Sequence, residues 1–404
     1  MGFFISRDKL TNLKSYKYQS EDHSILSNAI LKPYWRQFSK IFPVWMAPNV
    51  VTLLGLSFII INVLATLYYD PSLTEQTPSW TYFSYAIGLF LYQTFDACDG
   101  LHARRTGQSG PLGELFDHCI DSINTTLSML PFISTAKIGF GKLLILVQFT
   151  VLGNFYLSTW EEFHTHKLYL SEFCGPVEGI FILITSYIIV GIWGPDLMWH
   201  KVVFQNDVVR IESIHLWFTF SFFAVFYNII AASKNVKQYY KEQELVKDGQ
   251  SDSTGTGCQR KAELESQKEL DIAIKGLLPF LFYFISVIVL ITVNENFINL
   301  PLVLSIGLTM AFVVGRIIVA HLTNQDFPMI NFPMLVPSIQ LVYYLISTHY
   351  LKRDTTSTII NLVWFGLGLT LGIHAMFINE IIYEFTDYLD VYALTIKHPH
   401  AKVV

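Results

Sequence analysis

Four aspartates sit where an apolar chain tolerates them least. From Asp96 the sequence runs Asp96-Ala97-Cys98-Asp99-Gly100-Leu101-His102-Ala103-Arg104, then reaches Gly113, Asp117 and Asp121, with long apolar runs on either side. If each half is helical, Asp96 and Asp99 lie about 60° apart on one face, and Asp117 and Asp121 about 40° apart on theirs. Two such helices folded together converge four carboxylates on one spot. In an apolar setting that convergence is costly unless cations neutralise it. An all-carboxylate donor set suits a hard cation, and Mg²⁺ commonly binds through carboxylates together with substrate phosphates. Ionisable residues at membrane depth point to function. Asp96, Asp99, Asp117 and Asp121 are the candidate metal ligands.

The residues between the two pairs are small. Gly100, Ala103 and Gly113 leave helix surfaces bare, so another backbone or a flat ligand approaches closely. Arg104, one turn after Gly100, is placed to fork onto phosphate oxygens. An ordinary acidic surface pair beside ordinary helix glycines explains any one of these residues, but not the constellation.

The flanking runs decide the fold class. Of 404 residues 52% are hydrophobic and only 15% charged, against about 25% charged in an average soluble domain. Apolar stretches at about 50–69, 80–102, 115–135, 143–160, 175–194, 214–232, 276–293, 300–320, 332–350 and 358–383 approach or exceed the roughly 20 residues that cross a bilayer as a helix. The expectation is an all-α polytopic membrane protein with about ten transmembrane helices. Before the first span, Ile25, Leu26, Ile30, Leu31, Tyr34, Trp35, Phe38 and Ile41 recur at helical spacing beside Lys32, Arg36 and Lys40. That pattern predicts an amphipathic helix lying in the membrane interface, with a cap packed on the bundle as the alternative. The organisation reads as an N-terminal segment 1–47, catalytic helices 48–232, a polar loop 233–275 with a flexible stretch at 242–270, C-terminal helices 276–383 and a tail 384–404.

Lys and Arg set the orientation. With both termini on one side, that side collects 20 basic residues and the other 6, which puts the termini and the Asp cluster in the cytosol. The first 20 residues are polar and charged, so a transmembrane segment is expected to act as the targeting signal. The net charge of −5 gives no reason to expect nucleic acid as a partner. Cys98, Cys119, Cys174 and Cys258 lack metal-type spacing and read as reduced thiols.

The pattern D-x₂-D-G-x₂-A-R-x₈-G-x₃-D-x₃-D is complete here and resembles the signature of the CDP-alcohol phosphotransferases. The neighbouring Tyr92-Gln93-Thr94-Phe95 and Pro111-Leu112-Gly113-Glu114-Leu115-Phe116-Asp117-His118 look like the eukaryotic choline/ethanolaminephosphotransferases. His118-Cys119-Ile120-Asp121-Ser122-Ile123-Asn124 looks closer to the fungal cholinephosphotransferases. The resemblance implies attack by the free hydroxyl of diacylglycerol on a CDP-alcohol, CDP-choline or CDP-ethanolamine, releasing CMP. It implies two Mg²⁺ ions, with Mn²⁺ as a substitute, and residence in the endoplasmic reticulum or Golgi membrane among its lipids. Asn49, in Pro48-Asn49-Val50-Val51-Thr52, is carried over as a CDP contact beside Gly100, Ala103, Arg104 and Gly113. His118 is carried over as the proton acceptor, and its imidazole suits base chemistry at neutral pH. The resemblance also asks for an acidic residue on the fifth span to raise that basicity, and Glu178 is the match. Asp121 is the rival base, although a cation-bound carboxylate is a poor one.

Two other readings stand beside this one. An ethanolamine-preferring enzyme differs only at the head group, where a choline would seek an aromatic cage with Tyr92 as one candidate wall. A cation transporter would explain four buried carboxylates, but not Arg104 or the small residues at fixed intervals. A homodimer is left open.

Overall fold

The computed structural model describes residues 2–16, 19–22, 24–170, 175–206, 210–250 and 267–398. The chain is mostly helical. The main helices are α1 (Lys32–Phe38), α2 (Pro48–Tyr69), α3 (Ser79–Thr106), α4 (Pro111–Thr135), α5 (Lys142–Thr165), α6 (Pro176–Trp193), α7 (Pro195–Trp199), α8 (Ser213–Gln250), α9 (Leu278–Val293), α10 (Leu300–Leu322), α11 (Val336–Leu345) and α12 (Thr355–Leu389). Their ends carry local start and stop chemistry. Proline sits in the first turn of α2, α4 and α6, where no intrahelical donor is lost. The Asn299 and Asp354 side chains accept from the N–H groups of Leu302 and Ser357, capping α10 and α12. Two short ribbons complete the described structure. Strand β1 (Ser20–Asp22) pairs in parallel with β2 (Leu168–Leu170), and β3 (Val202–Gln205) pairs antiparallel with β4 (Arg210–Glu212).

Seven helices among the described residues are long and apolar enough to cross a membrane, which makes this an integral membrane protein. They include α2, α5, α6, α8, α10 and α12, together with the helical stretch Gln267–Val293 that ends in α9. All ten expected segments are helical, but three fall outside the seven. Helices α3 and α4 are long, at 28 and 25 residues, yet polar side chains lower their hydropathy. The segment 332–350 is broken into a 3₁₀ turn, the ten-residue α11 and a wide turn.

Packing centres on the first helices and on α10. Helix α2 lies against α3 and α4, α3 against α6, and α4 against α5 and α10, which in turn backs onto α12. Gly55 lets α2 approach α3, because a Cβ there would stand 3.1 Å from the Cβ of Phe95. Polar contacts sort the connections into two ends of the bundle. At one end Asp70 accepts from Ser134, and Lys137 pairs with Asp196. At the other, Lys167 pairs with Glu21, Asn12 donates to the Thr323 carbonyl, and Met46 bridges to Thr395. This is the alternation expected of antiparallel spans.

Two boundaries differ from expectation. The polar segment after residue 232 continues α8 as helix to Gln250, because it is rich in Lys, Gln and Glu and lacks proline. Asn235 there donates to Glu161 on α5. The rest of the expected flexible stretch, 251–266, lies outside the described residues, as do Cys174 and Cys258. The tail does not begin at residue 384, since α12 runs to Leu389. Near the N-terminus, helical turns cover 25–41 rather than a single helix from Ser24 to Trp45. Leu31, Trp35 and Phe42 face inward with Val51 and Cys98, while Ile25, Ile30, Ile41, Val44 and Trp45 are exposed.

Candidate active site

A tight turn builds the site. Helix α3 ends at Gly107, whose φ of +67° is left-handed, and α4 restarts at Pro111 after Gly110. Four connecting residues hold α3 and α4 as an antiparallel hairpin, so the two Asp pairs face each other near its closed end. One carboxylate oxygen from each of Asp96, Asp117 and Asp121 lies within 4.8 Å of the other two. Asp96 Oδ1 and Asp117 Oδ1 are shielded from solvent and have no hydrogen-bond partner among the described residues. Buried acceptors without donors are costly, and a bound cation removes that cost. Asp99 stands outside the trio and accepts from the Thr52 hydroxyl through Oδ2. Tyr92 donates its hydroxyl to Asp121 Oδ1, which turns this buried ring into a positioning group for the trio. The sequence offers Tyr92 only as a head-group wall, since the contact with Asp121 spans 29 residues.

Bare surface surrounds the trio as the small residues require. A Cβ on Gly113 would meet nothing within 4 Å, and one on Gly100 would meet only Arg104 Nη1 at 3.7 Å. Ala103 is half-buried, and its carbonyl accepts from Gln108 at the helix end. Arg104 is exposed, and its side chain makes no hydrogen bond or ion pair among the described residues. Its neighbour Arg105 donates through Nη1 to the Ser39 carbonyl at 2.8 Å and through Nη2 to the Phe42 carbonyl. Arg105 thus ties α3 to the segment after α1, and Arg104 does not.

The histidine and its acid show what the sequence alone misplaced. His118 is buried, with Nδ1 at 3.0 Å from the Glu114 carbonyl and Nε2 at 3.1 Å from Glu162 Oε2. A carbonyl only accepts, so Nδ1 carries the proton of that bond. Nε2 faces a carboxylate oxygen of Glu162 across a hydrogen bond. Among the described residues no hydrogen bond or ion pair joins His118 to Glu178. The Oε1 atom of Glu178 instead accepts from the Ser24 hydroxyl at 2.6 Å and from the Leu26 N–H at 3.4 Å. The carboxylate in contact with His118 is that of Glu162, at the end of α5. A signal for it existed: Glu161-Glu162 follows an apolar run directly, where an acidic pair is costly without a partner. Asn49 is 7% exposed and donates to the Ala393 carbonyl at 2.9 Å, so the segment after α12 shares the ground expected for the nucleotide.

An all-helical membrane bundle with a carboxylate trio, a free arginine and a buried His–Glu pair has the equipment of a metal-assisted phosphoryl-transfer enzyme. The CDP-alcohol phosphatidyltransferase family model matches residues 45–225, the stretch that contains every one of these groups. The chain is 57% identical over 403 residues to cholinephosphotransferase 1 of Saccharomyces cerevisiae, covering 99% of both proteins. It is 52% identical over 401 residues to choline/ethanolaminephosphotransferase 1 of the same yeast, covering 98% of this chain and 99% of that one. It is 32% identical over 416 residues to choline/ethanolaminephosphotransferase 2 of Arabidopsis thaliana, covering 99% of this chain and all of that one. The protein belongs to the CDP-alcohol phosphatidyltransferase family. Membership decides for an enzyme and against a transporter.

Proposed function

We propose that this protein transfers phosphocholine, with phosphoethanolamine as second substrate group, from its CDP-alcohol to diacylglycerol, giving phosphatidylcholine or phosphatidylethanolamine and CMP. The observation that carries the reading is the Asp96–Asp117–Asp121 trio with Arg104 free beside it, in a chain similar to a cholinephosphotransferase from end to end. Asp96, Asp117 and Asp121, with Asp99 behind them, would hold the divalent cations, Mg²⁺ or Mn²⁺, two in number. Bound there, such cations would offset the diphosphate charge and favour departure of CMP. Thr52 and Tyr92 hold Asp99 and Asp121 in place. Arg104 forks onto phosphate oxygens over the bare surface of Gly100, Ala103 and Gly113, and Asn49 borders the nucleotide.

His118 Nε2 receives the proton of the attacking hydroxyl, while the Glu114 carbonyl fixes the ring through Nδ1. Glu162 stabilises the imidazolium that results. Glu178 acts at a distance, anchoring the N-terminal segment through Ser24.

The same reading assigns residues 48–232 to catalysis, which the family match over 45–225 supports. It counts α3, α4 and the broken segment at 332–350 among about ten crossings. It lays the N-terminal helix in the interface on its exposed Ile25, Ile30, Ile41, Val44 and Trp45. The excess of Lys and Arg sets the site facing the cytosol, in the endoplasmic reticulum or Golgi membrane. The test is an assay of purified protein with CDP-choline and CDP-ethanolamine, each with diacylglycerol and Mg²⁺. Turnover of CDP-choline ahead of CDP-ethanolamine is expected. Preference for CDP-ethanolamine reverses the head-group assignment, and turnover of neither overturns the reading.

A further inference from the structure

An open cleft lies beside Arg104. It offers about 590 Å³ and is lined by Gln19, Ser20, Glu21, Arg104 and Lys167. That volume is within the range of small-molecule sites. Its far wall is the β1–β2 ribbon, where Ser20 pairs with Leu168, Glu21 pairs with Tyr169, and the Leu168 N–H donates to the Gln19 carbonyl at 3.0 Å. Lys167 stands where α5 has just ended in the left-handed His166, φ +56°, and its Nζ reaches Glu21 Oε1 at 2.6 Å. Both side chains remain accessible, at 38% and 41% exposure. Its hydrogen bond to Glu21 holds the Lys167 ammonium above the ordinary lysine range. The cleft thus carries two cations against one carboxylate. The Arg104 side chain has no hydrogen-bond or ion-pair partner among the described residues, and the partner of Lys167 is a solvent-accessible carboxylate worth little as a surface pair. A ligand bearing two or more negative charges would satisfy both cations better than Glu21 satisfies one.

We propose that Lys167 is a second phosphate-binding residue, and that the diphosphate of a CDP-alcohol occupies the cleft between Arg104 and Lys167, displacing Glu21. The inference rests on the reading of the protein as a CDP-alcohol phosphotransferase. It assigns the nucleotide a wall that comes from the N-terminal segment and the end of α5, outside the α3–α4 hairpin. Glu21 then competes with the substrate. The two partners of one ion pair should therefore act with opposite sign, whereas a merely structural pair gives the same loss on either side.

The experiment uses the full-length protein, purified in micelles of detergent, diacylglycerol and a neutral phospholipid. It measures kcat and KM for CDP-choline, and calorimetric binding of CMP in the presence of Mg²⁺. Lys167→Ala should raise KM and the CMP dissociation constant about tenfold, the scale of one charge-assisted hydrogen bond, with a smaller change in kcat. Lys167→Arg should restore both, which excludes misfolding as the cause. Glu21→Gln should lower both. Unchanged KM and CMP affinity in Lys167→Ala, or a rise of both in Glu21→Gln, would overturn the proposal while the wild type still turns over. If Lys167→Ala abolishes a response to added anionic phospholipid and leaves KM for CDP-choline untouched, the cleft holds a lipid head group and the nucleotide assignment fails. Wild-type protein without turnover would overturn the functional reading itself, and CMP binding then tests the cleft independently.

Discussion

The α3–α4 hairpin and helix α10 are both at the centre of the bundle, and they are built on opposite principles. Helix α10 has a mean hydropathy of 2.3 over its most apolar window, of which 83% is buried. It is a scaffold whose interior positions touch other apolar side chains. The hairpin buries Gln93, Thr94, Asp99 and His102 on one arm, and Glu114, His118, Ser122, Asn124 and Thr126 on the other. On the same arms, the buried atoms Asp96 Oδ1, Asp117 Oδ1 and Glu114 Oε1 have no hydrogen-bond partner among the described residues. Unpaired buried acceptors work against stability. Their concentration in one hairpin teaches that the hairpin is organised around a ligand and α10 around packing.

Seven substitutions break or sharpen that contrast. Asp117→Ala should lower CDP-choline turnover on the order of a thousandfold while the protein still inserts, measured as CMP release; substantial residual activity would remove the hairpin's metal role. His118→Ala should cost about a hundredfold in kcat and leave CMP binding in Mg²⁺ intact. Glu162→Gln should cost about tenfold in kcat, and Glu178→Gln much less. The reverse order would return the acid's role to Glu178. Arg104→Ala should raise KM for CDP-choline about tenfold. Arg105→Ala should leave KM alone and instead lower thermal stability, because the Ser39 and Phe42 carbonyls lose their donor. The smallest effect on catalysis is expected in the scaffold. Ile317→Ala, at a fully buried position of α10, should destabilise by about 2–4 kcal/mol and leave activity per folded molecule near wild type.

Much of the site was legible because its chemistry is local. Asp96 with Asp99, and Asp117 with Asp121, share helix faces at fixed spacing, and Gly107 with Pro111 makes the turn between them nearly obligatory. The small residues at 100, 103 and 113 speak for themselves once the hairpin is closed. Partners distant in sequence were not legible. Tyr92 reaches Asp121 across 29 residues, Thr52 reaches Asp99 across 47, and Glu162 reaches His118 across 44. Nothing in the spacing of Glu162 or Glu178 separates them, since either could face His118 until the packing of α4 on α5 is known.

The amino-acid sequence by itself determined the membrane bundle, the family and the carboxylates that gather there, because apolar run length and helical periodicity act within a few turns. Only the tertiary structure decided which arginine is free, which glutamate meets His118, and that the ribbon at Ser20–Asp22 lines a cleft beside Arg104. Those outcomes depend on long-range packing, in which residues of identical chemistry compete for one place. Arg104 and Arg105 are adjacent and alike in charge, but a 100° step around the helix turns one to a waiting pair of carbonyls and leaves the other facing open space.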